Sequence, residues 1–366
     1  MRVKLEDVCE RGSSNIKQSD IIKMSGNYPI YGASGLAGKV NFYHQEQPYV
    51  AVVKDGAGIG RTTLNPAKSS VIGTMQYLIP KKNVLPEYLF YVVSYMHLEK
   101  YYTGATIPHI YFKDYKNEEF NLDNIEKQLE IIDVLGRCKK VIEARKQELV
   151  ELDSLTKARF VEMFGTLDTP TQAFEKATLK ELCNKITDGK HGGCKSEVGT
   201  ERYFVGAREI YDDDVHYESA PEINIEEFEK DYKRCNVEIG DFLIVNTGAT
   251  IGKSAIACDK RTEHTLLQKS VALLKVKKDV LNPIFLKWCY RVNTKMYMVE
   301  NASAQPNLLL SKINATVIYV PDIELQNQFA DFVHQVDKSK FDTMTFAPIY
   351  DIINLYLHTH FYQGRR

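Results

Sequence analysis

Between residues 124 and 164, apolar side chains recur at three- and four-residue steps: Ile131, Leu135, Cys138, Ile142, Leu149 and Leu152, with Arg145 interrupting. Lys139, Lys140, Glu143, Lys146 and Glu148 take the other faces. The stretch has no proline, and Gly136 is its only glycine before Gly165. That spacing predicts one helix, roughly 60 Å long for about 40 residues. A helix of this length either lies along its own domain or pairs with another, and pairing suits the length better. The matching partner opens near residue 323, with Phe329, Phe332, Val333 and Val336 on one face. Its pattern then breaks. A proline inside a helix costs about 3 kcal/mol or more, and Pro348 falls where the first helix would have its interior. From Phe341 onward the charged periodicity gives way to Phe346, Ile349, Tyr350, Leu355, Tyr356, Leu357, Phe361 and Tyr362. The second helix is therefore expected to stop near Lys340.

The stretches before each helix read differently. Short alternating or wholly apolar runs are punctuated by glycine, which predicts strands and turns. Near the end of each lies a short helix opened by proline, from Pro86 to about Lys100 and from Pro283 to about Met296. Proline suits a first helical turn, where its missing N–H has no partner to lose.

The two stretches are copies. Asp55-Gly56-Ala57-Gly58-Ile59-Gly60-Arg61-Thr62 returns as Thr247-Gly248-Ala249-Thr250-Ile251-Gly252-Lys253-Ser254. Lys81 to Pro86 returns as Lys277 to Pro283, Ala105-Thr106-Ile107-Pro108-His109 as Ser303-Ala304-Gln305-Pro306-Asn307, and Ile125-Glu126-Lys127-Gln128 as Ile323-Glu324-Leu325-Gln326. The offset drifts only from 192 (Gly56 to Gly248) to 198 (Glu126 to Glu324). The expected fold is α+β: two β-rich globular domains, 1–122 and 166–322, a long helix at 123–165, the start of a second at 323–340, and an atypical tail at 341–366. The helices are expected to pair as an antiparallel coiled coil with its second member curtailed.

Composition narrows the chemistry. With 47 Lys and Arg against 48 Asp and Glu, the net charge of −1 argues against coating nucleic acid by bulk attraction. Seven cysteines without a C-x-x-C pair argue against disulfides and structural zinc, and for a reducing, cytoplasmic setting. His191 and Cys194 have no second pair to complete four metal ligands. No apolar run reaches 18 residues, so no membrane span is expected. Gly248 to Ser254 is no P-loop. It has three residues where four are needed between the first glycine and Gly-Lys, and a strand-like run follows. Neither a methyltransferase Asn-Pro-Pro-Tyr nor a nuclease motif occurs, and no catalytic residue is assigned.

The duplicated order of globular part, long helix, globular part and helix, with an Ile-Glu-x-Gln opening on each helix and the repeated glycine turn, resembles the specificity subunit of Type I restriction-modification enzymes across residues 1 to 340. The resemblance implies two target-recognition domains, each reading half of a split double-stranded DNA sequence. It implies helices that set the gap and dock two methyltransferase subunits, with restriction subunits outside. S-adenosylmethionine, ATP and Mg²⁺ would belong to those partners, and this chain would be non-catalytic. A curtailed second helix would weaken the spacer and one docking surface. Two other readings are a coiled-coil scaffold with two protein-binding heads, and an enzyme acting on a small substrate; the second lacks a repeated acid–base cluster.

Arg, Lys, Asn and Gln are the usual readers of base edges. The candidates in the first domain are Lys23, Tyr31, Ser34, Lys39, Lys54, Arg61, Lys68 and His109. Those in the second are Lys190, His191, Lys195, Arg208, Asn246, Lys253, Lys269, Gln305 and Asn307. They are chosen as polar residues in predicted loops or beside the repeated turns. The loop Thr187 to Gly193, flexible and basic, stands out.

Overall fold

The computed structural model describes residues 1–104, 108–298, 307–344 and 348–362. The chain forms two compact units, one of residues 1–146 with 344–366 and one of residues 147–343.

In the first unit, β1 (Cys9–Ser13), β2 (Tyr28–Gly32), β3 (Gly35–Val40), β4 (Tyr49–Val53), β5 (Thr62–Asn65), β6 (Ser70–Val71) and β7 (Met75–Pro80) precede helix α1 (Pro86–Ser94). An antiparallel sheet has the order β1-β7-β4-β5, and a smaller one the order β3-β2-β6. The run Tyr-Val-Ala-Val-Val makes β4 central because both its faces are covered. Alternate side chains point to opposite faces. Val50 and Val52 therefore enter one core with Tyr88, Leu89 and Val92 of α1, while Tyr49, Ala51 and Val53 enter another with Ile30 and Val71.

Helix α2 (Ile125–Phe164) then runs 40 residues. The second unit repeats the plan with β8 (Cys183–Asp188), β9 (Tyr203–Val205), α3 (Ile225–Tyr232), β10 (Phe242–Val245), β11 (Ser254–Ile256), β12 (Thr265–Leu267), β13 (Val271–Val276) and α4 (Pro283–Val292). Its sheet order β8-β13-β10-β11 is that of the first unit. Phe242 and Ile244 of β10 face one core, Leu243 and Val245 the other. A two-stranded ribbon closes each head at its base: Arg2–Lys4 on Glu119–Asn121, and Glu175–Thr178 on Val317–Val320.

The shared Ile-Glu-x-Gln element has a structural purpose. Gln128 is fully buried; its Oε1 accepts the Leu85 N–H at 2.8 Å, and its Nε2 donates to the carbonyls of Asn83 (3.0 Å) and Asp123 (2.9 Å). Gln326 does the same with the Asn282 N–H (2.9 Å) and the carbonyls of Val280 (2.9 Å) and Pro321 (2.7 Å). Each amide ties the first turn of a long helix to the loop that precedes a proline-opened helix.

Two further helices are α5 (Ile323–Met344) and α6 (Pro348–Tyr362). Within the second unit α5 runs antiparallel to α2: Phe329 lies 5.3 Å from Phe160, while Lys340 donates to Asp153 at 2.6 Å. Within the first unit α6 sits on the other half of α2. Leu357 and Phe361 are buried with Ile131 and Leu135, and His360 pairs with Asp123 just before α2 at 2.7 Å.

The sequence pattern ends the second helix near Lys340 and predicts no element for 341–366. The structure carries α5 to Met344, and Pro348 opens α6 rather than ending helical structure. Ile353, Leu357 and Phe361 recur every four residues, an apolar face that the loss of charged positions had hidden.

Candidate nucleic-acid interface

Four segments meet at one end of each sheet. The first is the repeated glycine turn. In the first head, the Gly60 N–H donates to Val53 O (2.9 Å) and the Val53 N–H to Arg61 O (2.9 Å). In the second, the Gly252 N–H donates to Val245 O (2.9 Å) and the Val245 N–H to Lys253 O (2.8 Å). Gly60 and Gly252 have positive φ, +81° and +89°, where an L side chain is strained. A Cβ on either would also strike a neighbour, the Glu99 N–H or the Tyr297 ring. A strand, not a helix, follows the second turn, so no helix N-terminus is there to cradle phosphate.

The second segment is a strap from late in the sequence of each head. The Ile110 N–H donates to Lys54 O at 2.9 Å, and the Leu308 N–H to Asn246 O at 2.7 Å. His109 thereby faces Asp55, with Nδ1 2.6 Å from its carboxylate, and Asn307 faces Thr247, whose hydroxyl donates to its Oδ1 at 3.3 Å. The third segment is the turn before the sheet's second strand: the Lys54 N–H donates to Thr74 O, and the Asn246 N–H to Ser270 O. The fourth is a Gly-Ala step, Gly32-Ala33 in one head and Gly206-Ala207 in the other.

The candidate residues divide by environment. Lys23, Ser34, Lys39, Lys195, Arg208, Lys253 and Lys269 are exposed and have no side-chain partner among the described residues. Tyr31 is half-buried on β2. Lys54 lies 3.8 Å from Asp55, and Lys68 lies 4.0 Å from Glu46. Arg61 folds back to donate to Ala33 O at 3.0 Å. Gln305 lies outside the described residues.

The loop expected to be flexible is anchored in its first half. Thr187 and Asp188 belong to β8, and Gly189 packs so closely that a Cβ would meet Leu267 O at 2.1 Å. The Lys190 ammonium pairs with Asp231 (2.7 Å) and Glu227 (3.5 Å) of α3, and Asp231 holds it above the ordinary lysine range. Asn246 is buried, and its backbone does the bridging. His191 is exposed beside Asp188 at 3.0 Å. Burial pushes the Asp188 carboxyl up, but hydrogen bonds from Arg234 and His191 outweigh it and leave it below the ordinary range. Asp188, His191, Asn246, Thr247, Lys269 and Asn307 line a cleft of about 470 Å³.

Asp55, Thr247 and Asp188, which orient candidate side chains, were not among the candidates. The first two lie inside the repeated turn, so position alone could have found them. The Gly-Ala step also escaped, because its offset is 174 (Gly32 to Gly206), outside the window of the other matches. Among the described residues no group of His, Cys, Asp or Glu is placed to hold a metal, and no helix is long and apolar enough to cross a membrane.

This duplicated architecture is found in solved structures. The Type I restriction-modification system S subunit from M. genitalium superposes with a TM-score of 0.60 at 15% identity, over 98% of this chain and 94% of that one. A chain from a structure of type I R-M complex assembly and conformational transition gives 0.56 at 14% identity, over 98% and 97%. Both share the fold. No curated protein matches this chain in sequence. The family model for the Type I restriction modification DNA specificity domain matches residues 1–153 and 172–348, and the chain belongs to that family.

Proposed function

We propose that each head reads one half of a two-part DNA sequence, and that methyl transfer and strand cleavage are left to partner subunits. One observation carries this reading. The heads share a frame down to individual backbone hydrogen bonds, yet present different residues at the same end, Ser34 where the second head has Arg208 and Gly73 where it has Lys269. A common frame with unlike contacts suits a target with unlike halves. Phosphate contacts position a protein and base contacts specify, so a chain of net charge −1 can select a sequence while partners supply phosphate attraction. S-adenosylmethionine, Mg²⁺ and ATP are assigned to those partners.

Helix α2 serves as the spacer and, with α5 and α6, as the dock for two methyltransferase subunits; restriction subunits join outside them. Leu129, Val134 and Val141 are exposed apolar side chains on α2, the kind of surface that marks a docking site. Val134→Asp with Val141→Asp is expected to reduce co-purification of methyltransferase subunits while leaving the chain folded by circular dichroism.

The deciding experiment is methylome sequencing of cells that express the chain with its methyltransferase subunits. A single bipartite motif is expected. Binding to that motif should also weaken steeply with salt, as phosphate contacts require. If the assembled complex methylates no defined bipartite sequence, the reading fails.

A further inference from the structure

The Gly-Ala step brings a different following residue to the same spot in each head. β2 and β9 each run parallel to a short partner: Ile30 and Tyr31 oppose Ser70 and Val71, and Phe204 and Val205 oppose Leu266 and Leu267. The next residue on the partner strand then donates back, the Ile72 N–H to Tyr31 O at 2.9 Å and the Gln268 N–H to Val205 O at 2.8 Å. Those same residues crowd the glycines. A Cβ on Gly32 would meet Ile72 Cδ1 at 2.9 Å, and one on Gly206 would meet Gln268 Oε1 at 2.5 Å. Glycine accommodates that approach without displacing either side chain, and the parallel pairing holds the backbone at the step. After Gly-Ala the first head carries Ser34, the second Arg208.

Arg208 stands apart from the other arginines of its head. Arg202 contacts His264, Arg234 pairs with Asp188, Arg261 with Asp259 and Glu218, and Arg291 with Asp153 and Asp213. Among the described residues Arg208 is exposed and without a side-chain partner. Its backbone is nonetheless pinned on both sides. The Ala207 N–H donates to Ser270 Oγ at 3.2 Å. The buried Glu209 accepts the Gly206 N–H at 2.8 Å through its carboxylate and the His216 N–H at 2.8 Å through its carbonyl. With the backbone already fixed, binding has to order only the side chain. Ser270 leads directly to Asn246 and Lys269, so the side chain stands at the end of the sheet where the other segments meet.

We infer that the residue after the Gly-Ala step is a specificity-determining position, and that Arg208 reads a guanine in the half-site of the second head. The inference rests on the DNA-reading function proposed above. Arginine donates two parallel hydrogen bonds to guanine O6 and N7 in the major groove, and such a pair discriminates by about 5- to 150-fold. Ser34 at the equivalent place has one short hydroxyl and a different choice of bases.

The test uses the complex with its methyltransferase subunits and the motif that the unaltered chain defines. Arg208→Gln should relax or change one position, a G·C pair in one half-site, and leave the other half-site as it was. Replacing that guanine with 7-deazaguanine in a synthetic duplex should weaken binding of the unaltered complex by roughly the same factor, and should not affect Arg208→Gln. Arg208→Lys keeps the charge but loses the fork, so it should relax the same position. A motif unchanged by both variants, or both half-sites weakened equally in complexes that assemble normally, would overturn the inference. Absence of any bipartite motif from the unaltered complex sinks the proposed function instead, so the two failures are distinguishable.

Discussion

Removing the Gln128 amide strands the Leu85 N–H and the carbonyls of Asn83 and Asp123 in a buried site. An unsatisfied buried group costs about 1–3 kcal/mol. Gln128→Leu is therefore expected to cost about 2–4 kcal/mol, read as a lower urea midpoint and faster hydrogen exchange at the Leu85 amide. Gln326→Leu should do the same in the other unit, at Asn282. Asp188 makes a pH-dependent contribution. Its folded carboxyl lies below the ordinary range, so its stabilisation is present above the unfolded value of about 4 and is lost as pH falls through the lower folded value. Asp188→Asn should lower the urea midpoint of the second unit at pH 7. The difference from the unaltered chain should shrink at about pH 3.

Among the elements, the glycine turn, the proline-opened helices and the 40-residue helix were legible because each is set by local pattern. The Gly-Ala step was not, because residues 189–241 exceed their counterpart, 14–48, by the length that accommodates α3 and the hairpin of Ile210–Tyr211 with Asp214–Val215. An insertion moves the offset while the backbone pairing stays. In the sequence Lys190 and Asn246 look like available side chains. Chain position does not show that α3 brings two carboxylates to one, or that a strap covers the other. Proline misled the reading of the tail, since its effect depends on whether a helix is continuing or beginning.

In the whole molecule, α6 is a structural part of the first unit. Phe361 meets Tyr88 edge to face at 5.4 Å, and Tyr362 donates to Val92 O at 2.6 Å. Phe361→Ala is expected to cost about 3–5 kcal/mol, seen as earlier thermal unfolding of the first unit with the second little changed.

That arrangement also sets an order of manufacture. The strands and α1 of the first head leave the ribosome early, but Leu357 and Phe361 are translated only after the entire second head. At roughly 5–20 residues per second the intervening stretch of about 200 residues takes on the order of 10–40 s. Through that interval the nascent chain holds an uncovered apolar strip beside Tyr88 and Leu135, open to chaperones. The head synthesised first is completed last.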